Sequence, residues 1–441
     1  MTILKGIILF LLLCFLLSTI STSSHPNTLL CNQIEKHALL SFKHALTDPG
    51  NRLSSWSAKE DCCGWNGVRC HNITGRVSPA LLQLEILNYL DLSWNDFGGA
   101  PISSFLGCMQ SLTYLNLCCL GNLSNFHSLH LCGGDSFNQP QLYVENLDMS
   151  SVDLHKKVQW LEFTSMLPSL SKLYLDDCKL DNMSPSLGYL EDLSLDYNSF
   201  DGPIPSSLGN LSSLIFLSLY GNSSCKMGPK FPTWLQTQTS LWSLDISKSG
   251  IKDIAPTWFW KWASHIDQLI NLSDNQISGN LSGVLLNNSY IDLSYNCFTG
   301  EIPDSLGSLF ELNALHLNNN SLSGDIPPSL RNCISLGLLD LGDNKFSGNV
   351  PSWMGEWTTL MVLSLRSNRL IGNIPPQICQ LSFLTILDFA DNSLSGTIPK
   401  CFNNFSSMTT IGTEDEAFSV LEYYENLMLV IKGRNQSIRA F

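Results

Sequence analysis

The sequence predicts an α/β solenoid, with a parallel sheet on its concave face, a 3-10 or irregular convex face and a disulfide-bonded N-terminal cap. Three observations carry this. Between Tyr290 and Pro399 a frame LxxLxLxxN, closed by a turn of the form GxIP, returns every 24 residues and places Asn296, Asn320, Asn344, Asn368 and Asn392 in register. Eight looser copies precede it, aligned on Asn95, Leu120, Val152, Cys178, Asn198, Asn222, Ser249 and Asn275. Four cysteines, Cys31, Cys62, Cys63 and Cys70, lie between residue 25 and the first copy.

Each term of the frame has a physical cause. In xLxL the leucines alternate with polar residues, the pattern of a short strand with one buried face. One such unit cannot bury that face, whereas stacked units share a continuous core. The Asn follows the strand where the chain turns inward, and its amide can pair the backbone groups that neighbouring turns leave open. The Gly permits a tight turn, and the Ile and Pro fill the convex side. A period of 20–29 residues with this frame is the signature of the leucine-rich repeat. Thirteen strands spaced by roughly 4.8 Å make an inner surface on the order of 60 Å long, suited to a protein or oligomeric ligand.

Residues 1–24 read as a secretory signal, with Lys5 ahead of the apolar run Ile7 to Leu17 and a small polar stretch behind it. Export makes the fifteen cysteines readable as possible disulfides rather than metal ligands. Sequons at Asn72, Asn122, Asn182, Asn210, Asn271, Asn280, Asn287, Asn319, Asn404 and Asn435 fit the same compartment, while Asn222 occupies a buried ladder position. Residues 25–76 form the N-terminal cap, in which Ile34 to Leu46 has the apolar spacing of an amphipathic helix. About thirteen repeats fill residues 77–410. Repeats 2 and 3 are irregular, and a local disulfide among Cys108, Cys118, Cys119 and Cys132 is one reading of that excursion. Cys178, Cys225, Cys297 and Cys333 read as small buried residues. Cys379 and Cys401 make a weaker pair, since their offsets from the preceding ladder Asn differ by two. Residues 411–441 depart from the frame.

Composition narrows the function classes. A formal net charge of −14 argues against nucleic acid and anionic membranes as partners. No second apolar run of about eighteen residues follows the signal, so no membrane span is expected in this chain after it. No GxSxG, HExxH or P-loop occurs, and Asp176-Asp177 reads as solvated strand residues rather than an acid/base pair. His316, between Leu315 and Leu317, is expected on the open face as a solvated side chain. The reading is a binding protein, not an enzyme, with no metal and no cofactor.

The cap segment Asp61-Cys62-Cys63-Gly64-Trp65-Asn66-Gly67-Val68-Arg69-Cys70 and the GxIP turns resemble plant extracellular leucine-rich-repeat proteins. Phe231-Pro232-Thr233-Trp234-Leu235-Gln236-Thr237-Gln238, Pro256-Thr257-Trp258-Phe259-Trp260 and Val158-Gln159-Trp160-Leu161 are similar to plant receptor-like proteins of the ethylene-inducing xylanase-receptor type. The resemblance implies pairings Cys31–Cys62 and Cys63–Cys70. It also implies a kinase-less receptor ectodomain in defence or developmental signalling, binding a protein, peptide or glycan and acting through a leucine-rich-repeat receptor-kinase co-receptor in its full-length form. The tail, with Tyr423, Tyr424 and Lys432-Gly433-Arg434, resembles the start of the family's island region. That implies a chain truncated before the final repeats and transmembrane helix, at the plasma membrane facing the apoplast if an anchored form exists and secreted otherwise. An alternative is a secreted inhibitor of cell-wall-degrading enzymes, similar to the polygalacturonase-inhibiting proteins, which have no island.

In LxxLxLxxN the third, fifth, seventh and eighth positions point away from the leucine core. In repeats 4 to 6 these include Tyr174, Asp176, Asp196, Tyr197, Phe216 and Tyr220, an aromatic cluster beside carboxylates. Such a composition is expected of a ligand-binding face.

Overall fold

Each leucine-rich frame becomes a three-residue strand whose middle residue faces the core, buried in every repeat but the last, where Leu387 is half-buried. The computed structural model describes residues 36, 37, 40, 43, 54–62, 65, 88–94, 112–119, 143–155, 164, 167–180, 189–198, 200, 206–222, 230–404, 427–431 and 434–438. The chain divides into two units, Met1–Lys252 and Asp253–Phe441. The expected signal peptide lies outside the described residues.

In the first unit the strands Tyr89–Asp91, Tyr114–Asn116, Asn146–Asp148, Lys172–Tyr174, Asp192–Ser194, Phe216–Ser218 and Ser243–Asp245 belong to repeats 1 to 7. All neighbours pair in parallel, with Leu90, Leu115, Leu147, Leu173, Leu193, Leu217 and Leu244 in one register. None of these leucines is more than 3% exposed. Inter-repeat hydrogen bonds run on past the strands, as from the Leu195 amide to the Ser218 carbonyl.

The second unit repeats the design with Leu269–Asn271, Tyr290–Asp292, Ala314–His316, Leu338–Asp340, Val362–Ser364 and Ile386–Asp388, also parallel and in register. Its convex side carries 3-10 turns at Asp304–Ser308, Pro328–Asn332, Ser352–Glu356, Pro376–Gln380 and Lys400–Asn404. Pro303, Pro327, Pro351 and Pro375 precede four of them with extended backbone, so the GxIP proline sets the entry angle of each turn. The Gly of the motif is required: Gly348 has φ +76°, and a Cβ there would stand 2.7 Å from Asp325 Oδ1. An α-helix, Thr257–Ala263, replaces the 3-10 turn in repeat 7, burying Phe259, Trp260 and Ala263. Leu427–Ile431 and Arg434–Ile438 pair antiparallel.

The Asn ladder works as its chemistry dictates. Asn198 Nδ2 donates to the carbonyls of Leu175 (2.7 Å) and Leu195 (2.9 Å), while its Oδ1 accepts from the amides of Cys178 and Leu180. Where the amide is missing, other donors serve: Ser249 Oγ donates to Leu219 O at 2.9 Å and Cys178 Sγ to Met149 O at 3.1 Å. Val152 has no such donor and is simply buried.

Four expectations need correction, the first being that Asp176, expected as a solvated strand residue, is half-buried and accepts from Ser194 Oγ and the Asp196 amide. Cys379 and Cys401 form a disulfide, with Cα atoms 5.9 Å apart. Stacked equivalent turns meet through opposite sides, so bonded partners sit at unequal offsets; at three residues per 3-10 turn, two positions move a side chain to another side. Cys297 is exposed rather than buried, because its strand neighbour Phe298 takes the inward place. His316 is 7% exposed rather than solvated, with the Tyr290 ring centroid 5.6 Å away. On the same strand Ala314 packs with Leu338 and Val362, the third-position residues of the next two repeats, and Tyr290 packs against that cluster.

Candidate functional site: the open face of repeats 4 to 6

In every repeat the eighth frame position has a positive φ, and the residues there include Trp94, Asp177, Tyr197 at +54°, Lys248 and Tyr295 besides Gly221 at +72°. The chain must leave the strand and drop its next residue into the buried ladder, and the left-handed conformation makes that turn. For residues other than Gly this costs roughly 1–2 kcal/mol. Asp177, Gly221, Asp274, Asn319, Asp343 and Asp391 suit that conformation by residue type, whereas at Trp94, Tyr197, Lys248 and Tyr295 no local signal marks it.

Tyr197 stands on such a turn and is 53% exposed. Its ring meets Tyr220 edge to face at 4.9 Å between centroids, a favourable aromatic geometry. It also lies where a side chain on Gly221 would be: a Cβ there would come within 2.7 Å of Tyr197 Cδ1. Gly221 thus gives the ring its seat. Phe216 packs edge to face with Trp242 at 5.6 Å. Trp242, 43% exposed, was missed by the reading of outward positions because it occupies the second place of its frame, at the flank.

Tyr174 is half-buried, and its hydroxyl donates to Asp192 Oδ2 at 2.8 Å across the strands. Burial and that carboxylate push the phenol's pKa up. Asp176 and Asp196 have a structural task. In most repeats the fifth-position Asp or Asn accepts from the amide two residues on, as Asp148 does from Ser150 and Asp245 from Ser247. Repeats 5 and 6 carry Ser194 and Ser218 at that place, and the acceptor comes from the preceding repeat. Asp176 Oδ1 takes Ser194 Oγ (2.5 Å) and the Asp196 amide (2.9 Å); Asp196 Oδ1 takes Ser218 Oγ (2.6 Å) and the Tyr220 amide (2.8 Å). Desolvation raises both carboxyl pKa values, that of Asp196 to about 7. The acids therefore position the loop that carries Tyr220.

In the cap, Trp56 and Trp65 stack at 5.5 Å, both 2% exposed, beside Cys62, which is disulfide-bonded. Residues 36, 37, 40 and 43 are helical. Cys31, Cys63 and Cys70, and with them the expected pairings, lie outside the described residues. So do Asn72, Asn122 and Asn182 and the side chains of Asn404 and Asn435. Of the remaining sequons, Asn210, Asn280 and Asn287 are exposed and Asn271 and Asn319 half-buried. Asn222 is fully buried in the ladder. No helix among the described residues is long and apolar enough to cross a membrane.

The family model described as leucine rich repeat N-terminal domain matches residues 32–71. The leucine rich repeat model matches residues 189–211, 289–309, 311–333, 359–381 and 383–405. Receptor-like protein EIX1 of Solanum lycopersicum is 33% identical over 215 residues, covering 38% of this chain and 21% of that protein. Receptor-like protein EIX2 of the same species is 40% identical over 121 residues, covering 22% and 12%. These matches span well under half the length of either relative. Among solved structures, a leucine-rich-repeat protein of Leptospira interrogans has a TM-score of 0.53 at 22% identity, covering 74% of this chain and 84% of that one, and shows the fold alone. With an N-terminal cap domain ahead of a ladder of leucine-rich units, the chain is a leucine-rich-repeat protein, similar in sequence to the plant receptor-like proteins.

Proposed function

We propose that the chain is a ligand-recognition ectodomain of plant receptor-like type, exported through the secretory pathway. It binds a protein, peptide or glycan on the open sheet face of repeats 4 to 6. The similarity to receptor-like proteins supports the class, and the disulfides at Cys62 and Cys379–Cys401 fit an oxidising compartment. One observation carries the choice of face: Tyr197 is an exposed aromatic seated over a glycine and held edge to face against Tyr220. A large ring fixed by its neighbours and left open to solvent is what a binding anchor requires. In this reading a leucine-rich-repeat receptor kinase relays the bound state in defence or developmental signalling.

The test uses peptides selected from a random display library on the secreted chain, then titrated against parent and the Tyr197→Ala/Tyr220→Ala variant. Loss of about 2 kcal/mol, roughly 30-fold in Kd, is expected at unchanged secreted yield. Equal affinity in the double variant, with loss on changing Tyr423, would move the site to the tail.

A further inference from the structure

Repeat 2 carries adjacent cysteines at its seventh and eighth positions, where every repeat turns left-handed. Cys119 has φ +60°, and the turn brings its Sγ to 2.8 Å from Cys118 Sγ. That is well inside ordinary van der Waals separation for two sulfurs. Both side chains are half-buried on the open face, and the Cys118 amide is held by Asn116 Oδ1 at 2.8 Å. The buried cysteines behave differently: Cys178 Sγ donates to the Met149 carbonyl and Cys333 Sγ to the Leu306 carbonyl. Those thiols serve the fold as donors. Cys118 and Cys119, free thiols in this structure, face each other, and either sulfur can donate to the other.

We propose that Cys118 and Cys119 close as a vicinal disulfide, a redox-labile modification site on the open face of repeat 2. The co-reactant is a protein disulfide of a thiol oxidoreductase, the class of oxidant that would also form the bond between Cys379 and Cys401. One thiol, as thiolate, attacks the donor's disulfide and breaks its S–S bond. The neighbouring thiol then displaces the donor sulfur from the mixed disulfide. The pair loses two electrons and two protons, and the donor leaves as a dithiol. Lability follows from the backbone. A trans peptide fixes adjacent Cα atoms about 3.8 Å apart, below the roughly 4.4–6.8 Å of ordinary disulfides. The Cys379–Cys401 Cα atoms, 5.9 Å apart, fall inside that range. Strained disulfides are the more easily reduced.

The experiment takes the full secreted chain without reduction, denatures it in an alkylating reagent and measures the peptide containing both residues by mass spectrometry. The expected peptide carries no alkyl group, is lighter than the dithiol by two hydrogens and is joined to no other peptide. Stepwise dithiothreitol on the native protein should then open this pair before Cys379–Cys401. Alkylation of both sulfurs, or a link to another cysteine such as Cys108 or Cys132, overturns the disulfide. Opening only together with or after Cys379–Cys401 overturns its lability.

Discussion

Asp196 shows how one side chain on the open face joins stability to acidity. Its carboxylate organises the next repeat through Ser218 and the Tyr220 amide, yet burial raises its pKa to about 7 from an ordinary value near 3.8. A carboxyl group raised on folding adds stability that is fully present below its unfolded pKa and is lost as pH rises through the folded value. Asp176 shifts in the same direction. The protein should therefore melt at a higher temperature at pH 5 than at pH 8. Asp196→Asn keeps the accepting oxygen and removes the buried charge, so it should raise Tm at pH 8 and flatten the slope between pH 4 and 7. Thermal unfolding of both proteins across that range checks it, and an unchanged slope in the variant would refute the assignment.

At the scale of the element, the strand and its Asn form the working pair. Asn320 Nδ2 donates to the carbonyls of Leu293 (2.9 Å), Leu317 (3.1 Å) and Asn318 (3.2 Å), and Oδ1 accepts from the Phe298 amide (2.9 Å). Asn320→Ala would leave these groups without their partner at a cost of about 2–4 kcal/mol. Hydrogen exchange should show the loss at repeats 9 and 10 first, because each repeat leans on its neighbours. This layer was legible in the sequence, since the residues that make the strand and ladder are fixed by backbone hydrogen bonding, which tolerates few substitutes. The thirteen ladder positions read from the sequence each follow their strand at the same interval. What was not legible depends on rotation about the chain. The left-handed eighth position is imposed by the turn and not by its residue, and the Cys379–Cys401 bond requires knowing which side of each 3-10 turn faces its neighbour. The aromatic face was half legible: Tyr197 and Tyr220 do meet, whereas Trp242 enters from a flanking position and the two acids turn to internal work.

For the whole molecule, a stacked array is held at its ends by whatever closes them, because a terminal repeat has one neighbour instead of two. Among the described residues of the N-terminal closure, Trp56 stacks on Trp65, with Cys62 beside them and Lys43 Nζ donating to the Trp56 carbonyl at 2.9 Å. Cys62 is disulfide-bonded, and removing a disulfide from a small exported module costs about 2–5 kcal/mol. Cys62→Ser should accordingly lower the yield of secreted protein and speed proteolytic cleavage ahead of the strand Tyr89–Asp91. The fragments released should retain repeats 9 to 13, whose own ladder is intact. Secreted yield and limited proteolysis followed by mass spectrometry measure both effects. Parental yield and protease resistance in the Cys62→Ser protein would show that the two tryptophans hold the cap without the bond.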